Sequence, residues 1–141
     1  MAAKGGATRA RKTSSIFKDA KSFSSFSVND IERAKEFYGQ TLGLKLSESE
    51  EGLELNLAGG TTVFLYPKPN HTAASFTVLN FPVKDIEKAV DELTALGVQL
   101  EKYDLPDIKT DERGIMSGPG MQIAWFKDPA GNILSVIEEE K

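Results

Sequence analysis

The chain contains no cysteine and a single histidine, His71, among its 141 residues. The first absence excludes disulfides, thiolate metal sites and cysteine nucleophiles, and it fits a protein of the reducing cytoplasm. The second excludes any metal site that needs two imidazoles from one chain. No apolar run approaches the roughly 18 to 20 residues that a bilayer demands, and the amino terminus lacks the apolar stretch of a secretory signal, so no membrane partner is expected. Glycine-rich phosphate loops are missing as well: Gly59-Gly60, Gly118 and Gly120 do not lead into helical patterns.

What is present begins with an uneven charge. Residues 1–21 carry Lys4, Arg9, Arg11, Lys12, Lys18 and Lys21 against Asp19 alone, ahead of a body acidic enough to leave a net charge of -4. A basic arm can hold a polyanion, but an acidic body repels the same phosphates, and Ala, Gly, Ser and Lys are the residues of a solvated tail. The expectation is a flexible basic leader over 1–16 and no nucleic-acid partner. With 40% hydrophobic content, residues 17–141 suffice for a single domain.

That domain repeats itself. VNDIERAKEFYGQTLGLKL, starting at Val28, returns as VKDIEKAVDELTALGVQL, starting at Val83. An offset of 55 matches Asp30 with Asp85, Ile31 with Ile86 and Ala34 with Ala89, while Leu42-Gly43 matches Leu96-Gly97 only after a one-residue deletion. Each copy predicts an amphipathic helix with an acidic first turn and a glycine stop. The apolar faces are Ile31, Ala34, Phe37, Tyr38 and Leu42, then Ile86, Ala89, Val90, Leu93 and Leu96. Asn29 with Glu32 predicts a capping box, and Asp30 and Asp85 are read as helix-start residues, not as a catalytic pair.

Strand patterns flank both helices: SFSSFSV, LKLSES, LELNLAG and TTVFLYP in the first copy, ASFTVLNF, VQLEKYD, MQIAWFK and NILSVIEE in the second. Asp-Pro-Ala-Gly marks a tight turn between the last two. PKPNHTA, residues 67–73, joins the copies, and His71 within it reads as a solvated loop residue. The fold class is α+β: two βαβββ modules, 17–68 and 73–141, forming one pseudo-symmetric curved mixed sheet, since two copies are too few for an open array.

The carriers V-x-D, F-Y and L-G-L in the first module and WFKDPAGNILSV at the end make the chain resemble the vicinal-oxygen-chelate superfamily. That superfamily includes glyoxalase I, extradiol dioxygenases, fosfomycin-resistance enzymes and bleomycin-resistance proteins. The resemblance, from about Phe17 to Glu139, implies a cup-shaped sheet with a ligand inside, and it also implies a homodimer. In metalloenzyme members it implies four inward metal ligands. Two lie seven residues before the V-x-D aspartates, one lies seven residues after the Asp of the D-P-x-G turn, and one lies on the last strand of the first module. Here those positions hold Phe23, Val78, Ser135 and either Leu65 or Tyr66. None is an ordinary metal ligand, so the expectation is no metal and no cofactor.

If those positions set the inward parity, alternation places Phe23, Ser25 and Ser27 on one wall of the cup, and Phe76, Val78 and Asn80 on another. Ile133, Ser135 and Ile137 form a third wall, faced by Val63 and Leu65. Either Trp125 or Phe126 faces inward; parity alone does not choose. The long connection DLPDIKTDERGIMSGPG, residues 104–120, reads as a lid carrying Arg113 as an anion contact and Met116 as an apolar one, or as a plain mobile loop. The expected ligand-binding set is Phe23, Ser25, Leu65, Tyr66, Phe76, Val78, Asn80, Arg113, Met116, Trp125 and Ser135. A mainly apolar cup with a few hydroxyls suits binding of a partly apolar small molecule, as in bleomycin-resistance proteins. The alternative is a glyoxalase-like or dioxygenase-like enzyme with a metal held elsewhere, or with metal-free chemistry at Tyr66, Glu54 or Asp111. A third reading has the cup filled by its own side chains and the protein acting through its surface.

Overall fold

The computed structural model describes residues 12–139, so most of the basic leader lies outside the described residues. Two βαβββ modules follow one another. The first contains β1 (Ser24–Val28), α1 (Ile31–Lys35, continued by a wider turn over Glu36–Thr41), β2 (Lys45–Glu48), β3 (Leu53–Asn56) and β4 (Thr62–Pro67). The second contains β5 (Thr77–Pro82), α2 (Ile86–Ala95), β6 (Ile115–Gly118), β7 (Met121–Lys127) and β8 (Ile133–Glu139). The strands form two four-stranded sheets, one per module, ordered β1-β4-β3-β2 and β5-β8-β7-β6, and no strand pairing among the described residues joins them into one continuous sheet. In each sheet the first strand runs parallel to the last and the remaining pairs are antiparallel.

The duplicated helices differ by the one residue that the repeat had to delete. In α1 the extra residue is absorbed by a π turn, in which Leu42 N–H donates to the Phe37 carbonyl five residues back at 2.9 Å. The longer ring keeps Phe37 and Tyr38 on the buried face before the helix stops at Gly43, whose φ of 73° favours glycine. The cap is Asp30, not Asn29: its carboxylate accepts from Glu32 and Arg33 N–H. Asp85 caps α2 in the same way through Lys88 N–H, and Glu138 accepts from Ile86 N–H at 2.7 Å, so part of the terminal acidic run serves a helix start.

One hydrophobic cluster spans both modules. Leu53, Leu55, Val63 and Leu65 enter it from the first sheet, and Ala124, Phe126, Leu134 and Val136 from the second, with Phe37, Tyr38, Val90 and Leu93 between them. Full burial of each leucine stabilises the fold by about 2 kcal/mol. The modules are also tied by polar contacts. Tyr38 donates to Asp128 Oδ2 at 2.7 Å, and Asn132 Nδ2 donates to the Ser27 carbonyl at 2.9 Å. His71, expected in solvent, is half-buried instead: its Nδ1 pairs with the Ser27 hydroxyl at 2.6 Å and its Nε2 with the Ala130 carbonyl at 3.0 Å.

The second module departs from its expected strand map. Val98 to Asp104 does not form a strand; its backbone meets β7 through a single Leu100–Phe126 bridge and the Glu101 N–H bond to the Trp125 carbonyl. The second strand of the module is Ile115–Gly118, inside the stretch read as a lid, and it pairs with Met121–Ala124 around Pro119-Gly120. Buried Ile115 anchors it, and a four-residue strand is too short to carry a periodic signal.

Candidate functional site

Strand register decides which side chains share a face. In β4, Val63 and Leu65 are buried toward the helices, so Phe64 and Tyr66 point to the opposite, open face. Across the sheet, Ser25 lies beside Phe64 and Ser27 beside Tyr66 on β1, while Glu54 lies beside Phe64 on β3, with Ser47 next on β2. The open face of the first sheet thus carries Ser25, Ser27, Tyr66, Phe64 and Glu54. Phe64 and Tyr66 stack with centroids 6.4 Å apart and planes at 17°.

In the second sheet, Asn80, Ser135 and Trp125 form one row, and Ile137, Ile123 and Met116 the next. Phe126 is buried with Leu134 and Val136, which settles the open choice: Trp125 takes the open face and Phe126 the core. Tyr103 meets the Trp125 ring edge-on at 5.5 Å, and the indole N–H donates to Thr77 Oγ1 at 3.1 Å. Ser135, fully buried, donates to Asn80 Oδ1 at 2.5 Å.

A hollow of about 380 Å³ lies where β1 and β5 approach each other, with Ser25, Tyr66, Phe76, Thr77, Val78 and Asn132 in its wall. Thr77 belongs both to this hollow and to the Trp125 contact, so it joins the two faces. A larger hollow, about 630 Å³, lies against α2 near Arg113. Part of its charge is already spent, since Arg113 bonds Glu87 at 2.8 Å and also Asp91, and Glu101 pairs with Lys127; Lys102 and Glu112 make no ion pair among the described residues. It offers no convergent unsatisfied chemistry, and the smaller hollow is the stronger site.

Most of the expected residues therefore gather on the open faces. Ser25, Tyr66, Phe76 and Val78 line the hollow, while Asn80, Met116, Trp125 and Ser135 occupy the open face of the second sheet. Phe23 precedes β1 and is 64% exposed. Two residues are corrected. Leu65 is 0% exposed within the core together with Val63, because β4 presents even-numbered residues to the open side. Arg113, expected as an anion contact carried on a lid, is held against α2 and not over the sheet, and the stretch that carries it is in part β6. Phe64 and Glu54 are wall residues that alternation does not reveal, because the parity of β3 and β4 is fixed only by their pairing with β1 and with each other.

The same register corrects the fourth family metal position. Ser25 pairs with Phe64 as Asn80 pairs with Ser135, and Ser27 with Tyr66 as Pro82 with Ile137, so the counterpart of Ser135 is Phe64. The positions become Phe23, Phe64, Val78 and Ser135. Three are hydrocarbon, and the hydroxyl of the fourth is directed to Asn80. Among the described residues no group of three or more His, Cys, Asp or Glu side chains converges as a metal site. The donor set does not fit the family's divalent ion.

Comparison with known proteins agrees with this architecture. The family model described as Glyoxalase/Bleomycin resistance protein/Dioxygenase superfamily matches residues 23–136. The uncharacterized protein YraH of Bacillus subtilis (strain 168) is 29% identical over 126 residues, covering 79% of this chain and 91% of that protein. A probable lactoylglutathione lyase of Vibrio cholerae is 28% identical over 124 residues, covering 81% and 86%. Among solved structures, TnmS3, an antibiotic binding protein from Streptomyces sp. CB03234, superposes with a TM-score of 0.62 at 25% identity, covering 86% of this chain and 98% of that one. The duplicated βαβββ modules, the Tyr38–Asp128 junction and the family match across both modules lead to one conclusion: the chain belongs to the glyoxalase/bleomycin resistance protein/dioxygenase superfamily.

Proposed function

We propose that this protein binds a partly apolar small molecule on its open faces without the help of a metal ion, in the manner of a sequestering or resistance protein. The observation that carries the reading is the occupancy of the four family ligand positions by Phe23, Phe64, Val78 and Ser135. Hydrocarbon at those positions favours shape and dispersion over coordination as the source of grip. Similarity to an antibiotic binding protein points the same way. A homodimer is part of this reading. Each sheet is covered by helices on one side only, and the exposed Phe23, Phe76 and Tyr66 at the open side are suited to closure by a second copy. The absence of cysteine from the sequence is compatible with a reducing cytoplasm, and among the described residues no helix is long and apolar enough to cross a membrane.

Elemental analysis of the purified full chain tests the reading, together with an assay for lactoylglutathione formation with and without added zinc or nickel. Substoichiometric metal and no turnover are expected. One tightly held ion per chain, or turnover that depends on one, overturns it in favour of the lyase reading suggested by the Vibrio relative. Sedimentation analysis is expected to give a dimer.

A further inference from the structure

The open face of the first sheet carries one carboxylate in an unusual place. Glu54 lies mid-strand on β3, flanked by β2 and β4, where its lateral neighbours are Ser47 and Phe64. It is half-buried, and among the described residues no ion pair or hydrogen bond reaches it. Among the described residues five acids form ion pairs, Glu48 with Lys35, Asp104 with Lys109, Glu87 and Asp91 with Arg113, and Glu101 with Lys127; Glu54 differs from the unpaired acids of loops and helix surfaces in standing half-buried in the middle of a sheet. Lys45, the basic side chain on the same face, stands opposite Asn56, on the diagonal from Glu54, and makes no ion pair among the described residues. A carboxylate on a central strand gains nothing from β propensity, and a serine and a phenylalanine give it no compensating charge.

The rings beside it are arranged as a platform. Phe64 and Tyr66 are nearly parallel, and the Phe64 ring reaches over Gly52, where an added Cβ would come within 2.9 Å of its Cζ. Ring faces attract cations, and a carboxylate beside them adds direct Coulomb attraction in a half-buried setting. The two features favour the same ligand group.

Resting on the small-molecule reading above, we propose that this face recognises an organic ammonium ion: Glu54 pairs with the positive nitrogen while Phe64 and Tyr66 hold an adjoining flat apolar body. Glu54 is then the residue that sets the charge preference of the site. The hydroxyls of Ser25 and Ser47, in the same row, provide secondary hydrogen-bond partners.

Three naphthyl probes of different charge test this with the full-length protein by titration calorimetry: 2-naphthylmethylammonium, its isostere 2-naphthylmethanol, and 2-naphthoate. Wild type is expected to bind the ammonium at least about tenfold more tightly than the alcohol, or about 1.4 kcal/mol, and the carboxylate least of all. Glu54→Gln is expected to bring ammonium and alcohol to parity. Equal binding of ammonium and alcohol by wild type, a preference for the carboxylate, or an ammonium preference that survives Glu54→Gln overturns the inference and leaves small-molecule binding standing. Failure of wild type to bind any of the three at millimolar concentration removes both.

Discussion

Tyr38 and Asp128, 90 residues apart, share a buried hydrogen bond of 2.7 Å that joins the helix of the first module to the last turn of the second. Asp128 also accepts from the N–H groups of Ala130 and Asn132 and from Asn132 Nδ2, so a single carboxylate shapes the Asp-Pro-Ala-Gly turn and fastens it to the other module. Tyr38→Phe removes one of four donors and is expected to lower unfolding free energy by about 2 kcal/mol in a denaturant titration, the usual cost of losing a bond to a charged acceptor. Asp128→Ala, which strips all four, is expected to cost more.

The same contact gives a pH dependence. Burial first, and then the charge and hydrogen bond of Asp128, raise the Tyr38 phenol above its ordinary value in the folded state. An unfolded chain therefore releases that proton first as pH climbs past about 10, and the stability contributed by the protonated phenol is lost as pH rises further. Wild type is expected to lose thermal stability above that point more steeply than Tyr38→Phe. Parallel melting curves for the two proteins between neutral pH and pH 11 are the contrary result.

Gly52 occupies a position with no room for a side chain: a Cβ there would stand 2.1 Å from the Leu65 carbonyl oxygen as well as against the Phe64 ring. Backbone cannot yield as a flexible side-chain end does. Gly52→Ala is expected to destabilise the protein by about 3 kcal/mol and to disturb β3–β4 pairing, read by denaturant unfolding and by amide exchange in Leu53 to Asn56.

Arg113 faces α2, so it should not matter to the ligand. Arg113→Ala is expected to leave probe affinity unchanged in calorimetry, with a small stability loss that shrinks as salt rises, because its ion pairs are exposed. A large fall in affinity would return it to the binding site.

Trp125 is the single tryptophan and lies on the open face, edge-on to Tyr103. A ligand seated against the second sheet is expected to change its fluorescence in proportion to occupancy, and Trp125→Phe to abolish that signal. Thr77→Val, which leaves the indole N–H without its partner, is expected to cost about 1 to 3 kcal/mol of stability.

The helices, the two modules and the family were legible because their signals are local and periodic. Asp30 and Asp85 open both helices, glycines close them, and apolar residues recur at helical spacing between. The one-residue deletion in the repeat foreshadowed the π turn in α1, though the sequence alone gave no reason to place it at Phe37. β6 was invisible for the opposite reason: four residues after a long connection carry no period.

The wall of the site divides along the same line. Ser25, Asn80 and Ser135 could be placed because strand alternation runs from a fixed landmark. Leu65, Tyr66, Phe64 and Glu54 could not, because a turn of one residue more or less inverts the parity of a whole strand, and only hydrogen bonding to β1 and β3 fixes it. Arg113 was misplaced because a long cation goes wherever acids happen to stand in space, and Glu87 and Asp91 are more than twenty residues away in sequence. Composition and periodicity alone determined that this chain folds as a duplicated βαβββ pair without thiols or a second imidazole. Tertiary structure alone decided which side chains meet on the open face, since register is a long-range property that no local stretch encodes.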